Sequence, residues 1–173
     1  MNVSRVAMLA VLAVGIGASA CGGKVAPIMS YAVAVDPGFT TPQIEAIILG
    51  LDDWTSAVPR LRITYQVASC TEPSGDQVCI HPAYDPPNVS DEVVGTTRLG
   101  PVGDATVWIY LERIRATGTN VRSLVKQTTA HEIGHAMGLK HSLSGELMAA
   151  DVANQAHTVT PADVAQFWSV REQ

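Results

Sequence analysis

The chain has 173 residues, of which 47% are hydrophobic and 16% charged, with a formal net charge of −5. That length favours a single domain, and the charged fraction lies below the roughly 25% usual for soluble proteins. Much of the deficit is in residues 1–20, where Arg5 is the sole charged side chain and an apolar run extends from Val6 to Ala18. The run falls short of the roughly 20 apolar residues that a bilayer span needs. A basic start, an apolar middle and the small residues Ala18, Ser19 and Ala20 read instead as a secretory signal peptide over residues 1–20. No second stretch of this kind follows, which argues against an integral membrane protein. Without residues 1–20 the net charge is −6, and such a chain lacks the basic footprint of a nucleic-acid binder. About 150 residues remain, enough for one hydrophobic core.

Ala18-Ser19-Ala20-Cys21 resembles the lipobox of bacterial lipoproteins, with Ala18 where leucine is usual. The resemblance implies a lipid on Cys21, a tether over residues 21–27, and anchoring without spanning. Gly22, rather than aspartate, after the cysteine suits an outer-membrane or cell-surface address. The alternative is an ordinary signal cut nearby, which leaves Cys21 a spare thiol and the protein periplasmic or secreted.

Tyr31, Val33 and Val35 alternate with small residues as in a strand. Asp36-Pro37-Gly38 turns the chain, and Thr41-Pro42 starts a helix with Ile44, Ile47, Ile48, Leu51, Trp54 and Val58 at helical spacing. Pro59 stops it. Leu61, Ile63, Tyr65 and Val67 alternate with polar residues, which predicts a strand with one buried face. Residues 70–92, with Pro73, Pro82, Pro86 and Pro87, read as a loop. Cys70 and Cys79 lie across a turn in it and predict a disulfide in an oxidising compartment. Val93–Leu99 and Ala105–Leu111 are further strand candidates. Asn120 caps a helix that ends at Gly138, and Thr160-Pro161-Ala162-Asp163 opens the last helix with a capping box. This order predicts an α/β or α+β domain.

The segment His131-Glu132-Ile133-Gly134-His135-Ala136-Met137-Gly138-Leu139-Lys140-His141 carries the chemistry. His131 and His135 stand four apart on a helix, so both imidazoles leave one face and can reach one zinc. Glu132 lies beside them as a base for water rather than as a ligand. Gly138 can adopt the positive φ that turns the chain back and delivers His141 as a third ligand. Three protein ligands leave a fourth position for water, as in catalytic zinc sites. Matches to all five fixed positions should arise by chance in roughly one chain in 10⁵ of this length, which makes the pattern specific. His81 and His157 each stand alone in polar surroundings and read as surface histidines.

These residues resemble the long zinc-binding motif of the metzincin endopeptidases, which His131 to His141 matches in full. Met148, in Gly145-Glu146-Leu147-Met148, fits the methionine turn of that superfamily, where it would lie beneath the zinc without ligating it. Ser142 after the third histidine, and the lack of a tyrosine after Met148, resemble the matrixins and their small bacterial relatives. The resemblance implies a metzincin-like catalytic domain over residues 28–173, a twisted mixed sheet of about five strands with three helices, and a zinc endopeptidase. Glu132 would be the general base, Val93–Leu99 the sheet edge that pairs with an extended protein or peptide substrate, and Ala149–His157 the wall of the specificity pocket. The protein would act as a monomer.

Two departures from the matrixins matter. Thr106 stands where a histidine would hold their structural zinc, so no structural zinc is expected. No cysteine-switch motif is present either. Calcium is a weaker candidate, with Asp76, Asp85, Asp91, Glu92 and Asp104 as oxygen donors. The competing reading is a non-catalytic surface lipoprotein that holds peptides or an inhibitor in a metzincin-like cleft.

Overall fold

The computed structural model describes residues 28–172 except 72, 74, 76, 84–89, 91 and 102. The signal peptide, the tether, Cys21 and the candidate calcium donors Asp76, Asp85 and Asp91 lie outside the described residues. Among the described residues, no helix is long and apolar enough to cross a membrane.

The chain begins with β1 (Met29–Val35), crosses through α1 (Thr41–Ala57) and returns as β2 (Leu61–Val67). Then come β3 (Gln77–Ala83), β4 (Gly95–Leu99), β5 (Ala105–Tyr110), α2 (Leu111–Ala116), α3 (Val121–Ala136) and α4 (Pro161–Ser169), with a short 3₁₀ turn at Val152–Asn154. The five strands form one sheet in the order β2-β1-β3-β5-β4. β4 runs antiparallel to β5, and the other pairs are parallel. The sheet is therefore mixed, and β4 is one of its two edges.

Capping chemistry sets the helix ends. Thr40 rather than Thr41 is the N-cap of α1, and its backbone N–H donates to Gln43 Oε1 at 2.8 Å. Asn120 Oδ1 accepts from Ser123 N at the start of α3, and Thr160 and Asp163 cap α4 reciprocally. Apolar side chains then meet in one core: Val33, Val35, Ile80, Val107 and Ile109 from the sheet, Ile47, Leu51 and Trp54 from α1, Val125 and Ile133 from α3, and Phe167 from α4.

α1 and α3 cross closely because Gly50 has no side chain. A Cβ there would lie 2.6 Å from the Lys126 carbonyl oxygen. The buried Trp54 locks the crossing by donating Nε1–H to the Ala130 carbonyl at 2.7 Å.

Three readings of the sequence need correction. The segment read as a loop over 70–92 contains β3, a central strand. Prolines masked it, but Pro82 lies beyond the last β1–β3 pair, Val35 with Ile80, so that ladder does not need its missing N–H. The predicted buried face of β2 holds only for Leu61 and Ile63. Tyr65 is 48% and Val67 49% exposed, because this edge strand outruns the core. Besides the three expected helices there is α2, too short at six residues to show a helical period. It carries the buried Arg113, whose Nη1 donates to the carbonyls of Ser90 and Val93 and so fastens the approach to β4.

Cys70 and Cys79 are joined as a disulfide, with Cα atoms 5.8 Å apart. With Ala34 they form a small buried cluster separate from the main core.

Gly50→Ala separates two opposing effects. Alanine gains about 1 kcal/mol in helix propensity, whereas overpacking against a helix backbone costs roughly 1–3 kcal/mol. A net loss of stability is expected, read as a lower urea midpoint. A midpoint equal to or above wild type would contradict the close crossing.

Candidate metal centre

α3 delivers His131 and His135 from one face, one turn apart. The helix then ends in a Schellman cap: Gly138, at φ +87°, donates N–H to the His135 carbonyl, and Leu139 donates to the Gly134 carbonyl. The reversal that Gly138 allows brings His141 back to the other two rings. The three side chains form a group whose ligand atoms lie within 4.8 Å of one another. His135 Nε2 and His141 Nε2 are 3.2 Å apart.

Two of the rings are fixed in tautomer as well as in place. His131 Nδ1 lies 2.8 Å from the Leu147 carbonyl oxygen, and His135 Nδ1 lies 2.8 Å from that of Leu139. A carbonyl can only accept, so each of these bonds needs the proton on Nδ1 and leaves Nε2 its lone pair; at His131 the amide Nε2 of Gln155 also lies 3.0 Å from Nδ1. This is the arrangement in which histidines ligate metals. Three imidazoles suit zinc among divalent ions, and they can hold one metal ion while leaving further positions open. Among the described residues, this is the sole group of three or more histidine, cysteine, aspartate or glutamate side chains close enough to share an ion.

Burial tunes the site. His131 is 6% exposed, and desolvation lowers its pKa to about 4, aided by the neighbouring histidines and opposed by its bond to Leu147. Desolvation also lowers that of His135. Glu132 is 5% exposed, and desolvation raises its carboxyl to about 7, while a hydrogen bond from Thr97 pulls it down. Thr97 Oγ1 lies 2.6 Å from Glu132 Oε2. A carboxyl near neutrality beside a metal can accept a proton and return it.

The turn after His141 is tied to the histidine group through the Leu147 carbonyl, which His131 Nδ1 meets. Met148 is fully buried, and its Sδ would lie 2.3 Å from a Cβ at position 134. Glycine at 134 therefore lets the methionine pack against α3, beside the buried Trp54. Asp163, 1% exposed, accepts from the N–H groups of Leu147 and Met148 at 3.1 Å each. A second brace comes from Gln155, whose Nε2 donates to the Ala149 carbonyl at 2.8 Å and whose Oε1 accepts from the buried Gln127 at 3.3 Å.

The residues border a cleft of roughly 740 Å³, with β4 on one side and Ala150, Asp151, Val152 and Gln155 on the other. The structure thus brings His131, Glu132, His135 and His141 together at one cleft, uses Gly138 as the turn, and buries Met148 against α3 at Gly134. His81 is not in a loop: it sits half-buried in β3, with Nδ1 3.0 Å from Asp36 Oδ2. His157 is exposed, and its Nδ1 meets Gln127 Oε1 at 3.0 Å. Neither belongs to the metal group. Of the other candidate calcium donors, Asp104 is buried and Glu92 exposed. The sequence reading missed Thr97, Gly134 and Gln155. Asp163 was legible as a capping residue, but not as the anchor of the Leu147-Met148 turn.

No protein-family model matches this chain, and no curated protein matches it in sequence. Among solved structures its fold is similar to that of archaemetzincin from Methanopyrus kandleri, with a TM-score of 0.58 over 84% of this chain and 96% of that one, at 9% identity. The chain therefore has an archaemetzincin-like fold, in line with the metzincin-like domain expected from residues 131–148.

Depressed histidine pKa values make metal binding tolerant of acid. A proton competes with the metal only below the pKa of the folded, metal-free ligand. Three imidazoles at their ordinary value would lose about 30-fold in zinc affinity between pH 7 and pH 6. With His131 lowered to about 4 and His135 also lowered, a loss below about 10-fold is expected. Competition titration with a chromophoric chelator measures it, and a 30-fold loss would show that burial does not hold these rings neutral.

Proposed function

We propose that this protein is a zinc-dependent endopeptidase. One observation carries the reading: three imidazoles converge beside a buried carboxyl in a cleft bordered by an open sheet edge. His131, His135 and His141 would hold the zinc, which when bound acidifies water and polarises a carbonyl. Glu132 accepts the proton of the attacking water on its carboxylate and returns it to the leaving amine, so that no nucleophilic side chain is required. Among the described residues, β4 pairs with β5 alone. An extended peptide would add along its other side as a further strand, which supplies affinity with little dependence on side chains.

Ser142 after the third histidine and the lack of a tyrosine after Met148 favour a matrixin-like variant within the metzincin class. We also propose that the enzyme works outside the cytoplasm, anchored through Cys21. The signal-like residues 1–20 and the Cys70–Cys79 disulfide favour this address. Mass spectrometry of the mature N-terminus tests it, and an unmodified Cys21 would remove the anchor.

The test of function is cleavage of a diverse peptide library by the zinc-loaded protein, read by mass spectrometry beside Glu132→Ala. Wild type is expected to cleave. Glu132→Ala is expected to keep its zinc and lose at least about 100-fold in rate, the scale of general-base catalysis. His141→Ala is expected to lose zinc affinity. Equal cleavage by wild type and Glu132→Ala would contradict the role of Glu132. Zinc bound without cleavage by either would favour a cleft that binds peptides without hydrolysing them.

A further inference from the structure

The edge strand that borders the cleft also touches the proposed base. Gly95 and Thr97 are both on β4. A Cβ on Gly95 would lie 3.0 Å from Glu132 Cγ, 3.0 Å from Glu132 Oε1 and 2.6 Å from Thr128 Cγ2. Glycine there makes room for the carboxyl. Two residues on, Thr97 Oγ1 lies 2.6 Å from Glu132 Oε2 and 3.0 Å from the Glu132 carbonyl oxygen. A hydroxyl has one proton to give, and an ionised carboxylate is the stronger acceptor. Among the described residues, Thr97 is the one hydrogen-bond partner of this carboxylate.

We propose that Thr97 is a positioning residue for the reaction: from the substrate-binding edge strand it holds Oε2 of Glu132, so that Oε1 is the oxygen that exchanges protons with water and leaving group. This rests on the endopeptidase reading. A free glutamate side chain turns about several bonds, and proton transfer needs the carboxylate within hydrogen-bond reach of water in a narrow range of orientations. Packing confines this buried side chain, and the hydroxyl of Thr97 adds a directional restraint that selects Oε2 as the held oxygen. The same strand would receive the peptide main chain, so a substrate seated on β4 is registered against the base that serves it. The restraint acts on the chemical step and not on the strength of main-chain pairing.

Thr97→Val removes the hydroxyl and keeps the branched shape, whereas Thr97→Ser keeps the hydroxyl. Valine is expected to lower kcat by about 10- to 100-fold, the scale of losing a hydrogen bond to a charged group. KM should stay within about 3-fold and zinc stoichiometry should not change. Serine is expected to restore kcat to within about 3-fold of wild type. A valine variant with wild-type kcat, or a serine variant as slow as valine, would overturn the proposal while leaving Glu132 as the base. If Thr97→Val does not fold, Thr97→Ala takes its place in the same comparison. If wild type cleaves nothing, the endopeptidase reading fails by itself. Crystal structures of the zinc-loaded variants then decide the positioning: a Glu132 carboxylate displaced with valine and retained with serine supports it, and one unmoved in both overturns it.

Discussion

The buried carboxylate of Asp163 accepts from the backbone N–H groups of Leu147 and Met148, and the carbonyl of Leu147 accepts in turn from His131. The placement of His131 in the candidate metal centre depends on this chain of bonds. A carboxylate 1% exposed is costly unless its oxygens are satisfied. Here the two turn amides and the N–H and hydroxyl of Thr160 all donate to it. One residue thus opens α4, fixes the turn after the third histidine and, through Leu147, sets which nitrogen of His131 keeps its proton. The side chain of that turn, Met148, fills the space that Gly134 leaves on α3. Helix, turn and terminal helix are therefore one mechanical unit.

Burial gives the site its chemical character. Desolvation favours neutral forms, so it keeps His131 and His135 unprotonated and raises the Glu132 carboxyl towards neutrality. In the proposed enzyme the opposite requirements of ligands and base would be met by one environment, because imidazoles lose charge and carboxyls gain a proton when water is removed. The fixed Nδ1–H bonds to backbone carbonyls leave Nε2 as the ligating atom of both helical rings. The backbone, more than any side chain, thereby selects the atoms offered to a metal.

Much of this was legible in the sequence, for local reasons. The positions of His131, Glu132, His135, Gly138 and His141 are set by helical spacing and one reversal, which a linear motif records directly. α1 and α4 announced themselves through caps and periodicity. β3 did not, because Pro82 and His81 interrupt an apolar pattern whose central place depends on partners far along the chain. Thr97, Gln155 and the second role of Asp163 were hidden for the same reason. Each acts on a residue at least 15 positions away, and nothing in a single sequence marks which threonine of a short strand faces a carboxylate. Gly134 and Gly50 read as ordinary helix residues until the neighbour that needs their missing Cβ is known.

The proposed activity requires three imidazoles to hold one metal with a position left open. Zinc-edge X-ray absorption spectroscopy of the zinc-loaded protein tests that most directly. One equivalent of zinc with three imidazole nitrogens at about 2.0 Å, completed by light oxygen donors from water, is the predicted result. A spectrum with two or fewer imidazoles, with sulfur donors, or with a fourth protein nitrogen closing the site would contradict it.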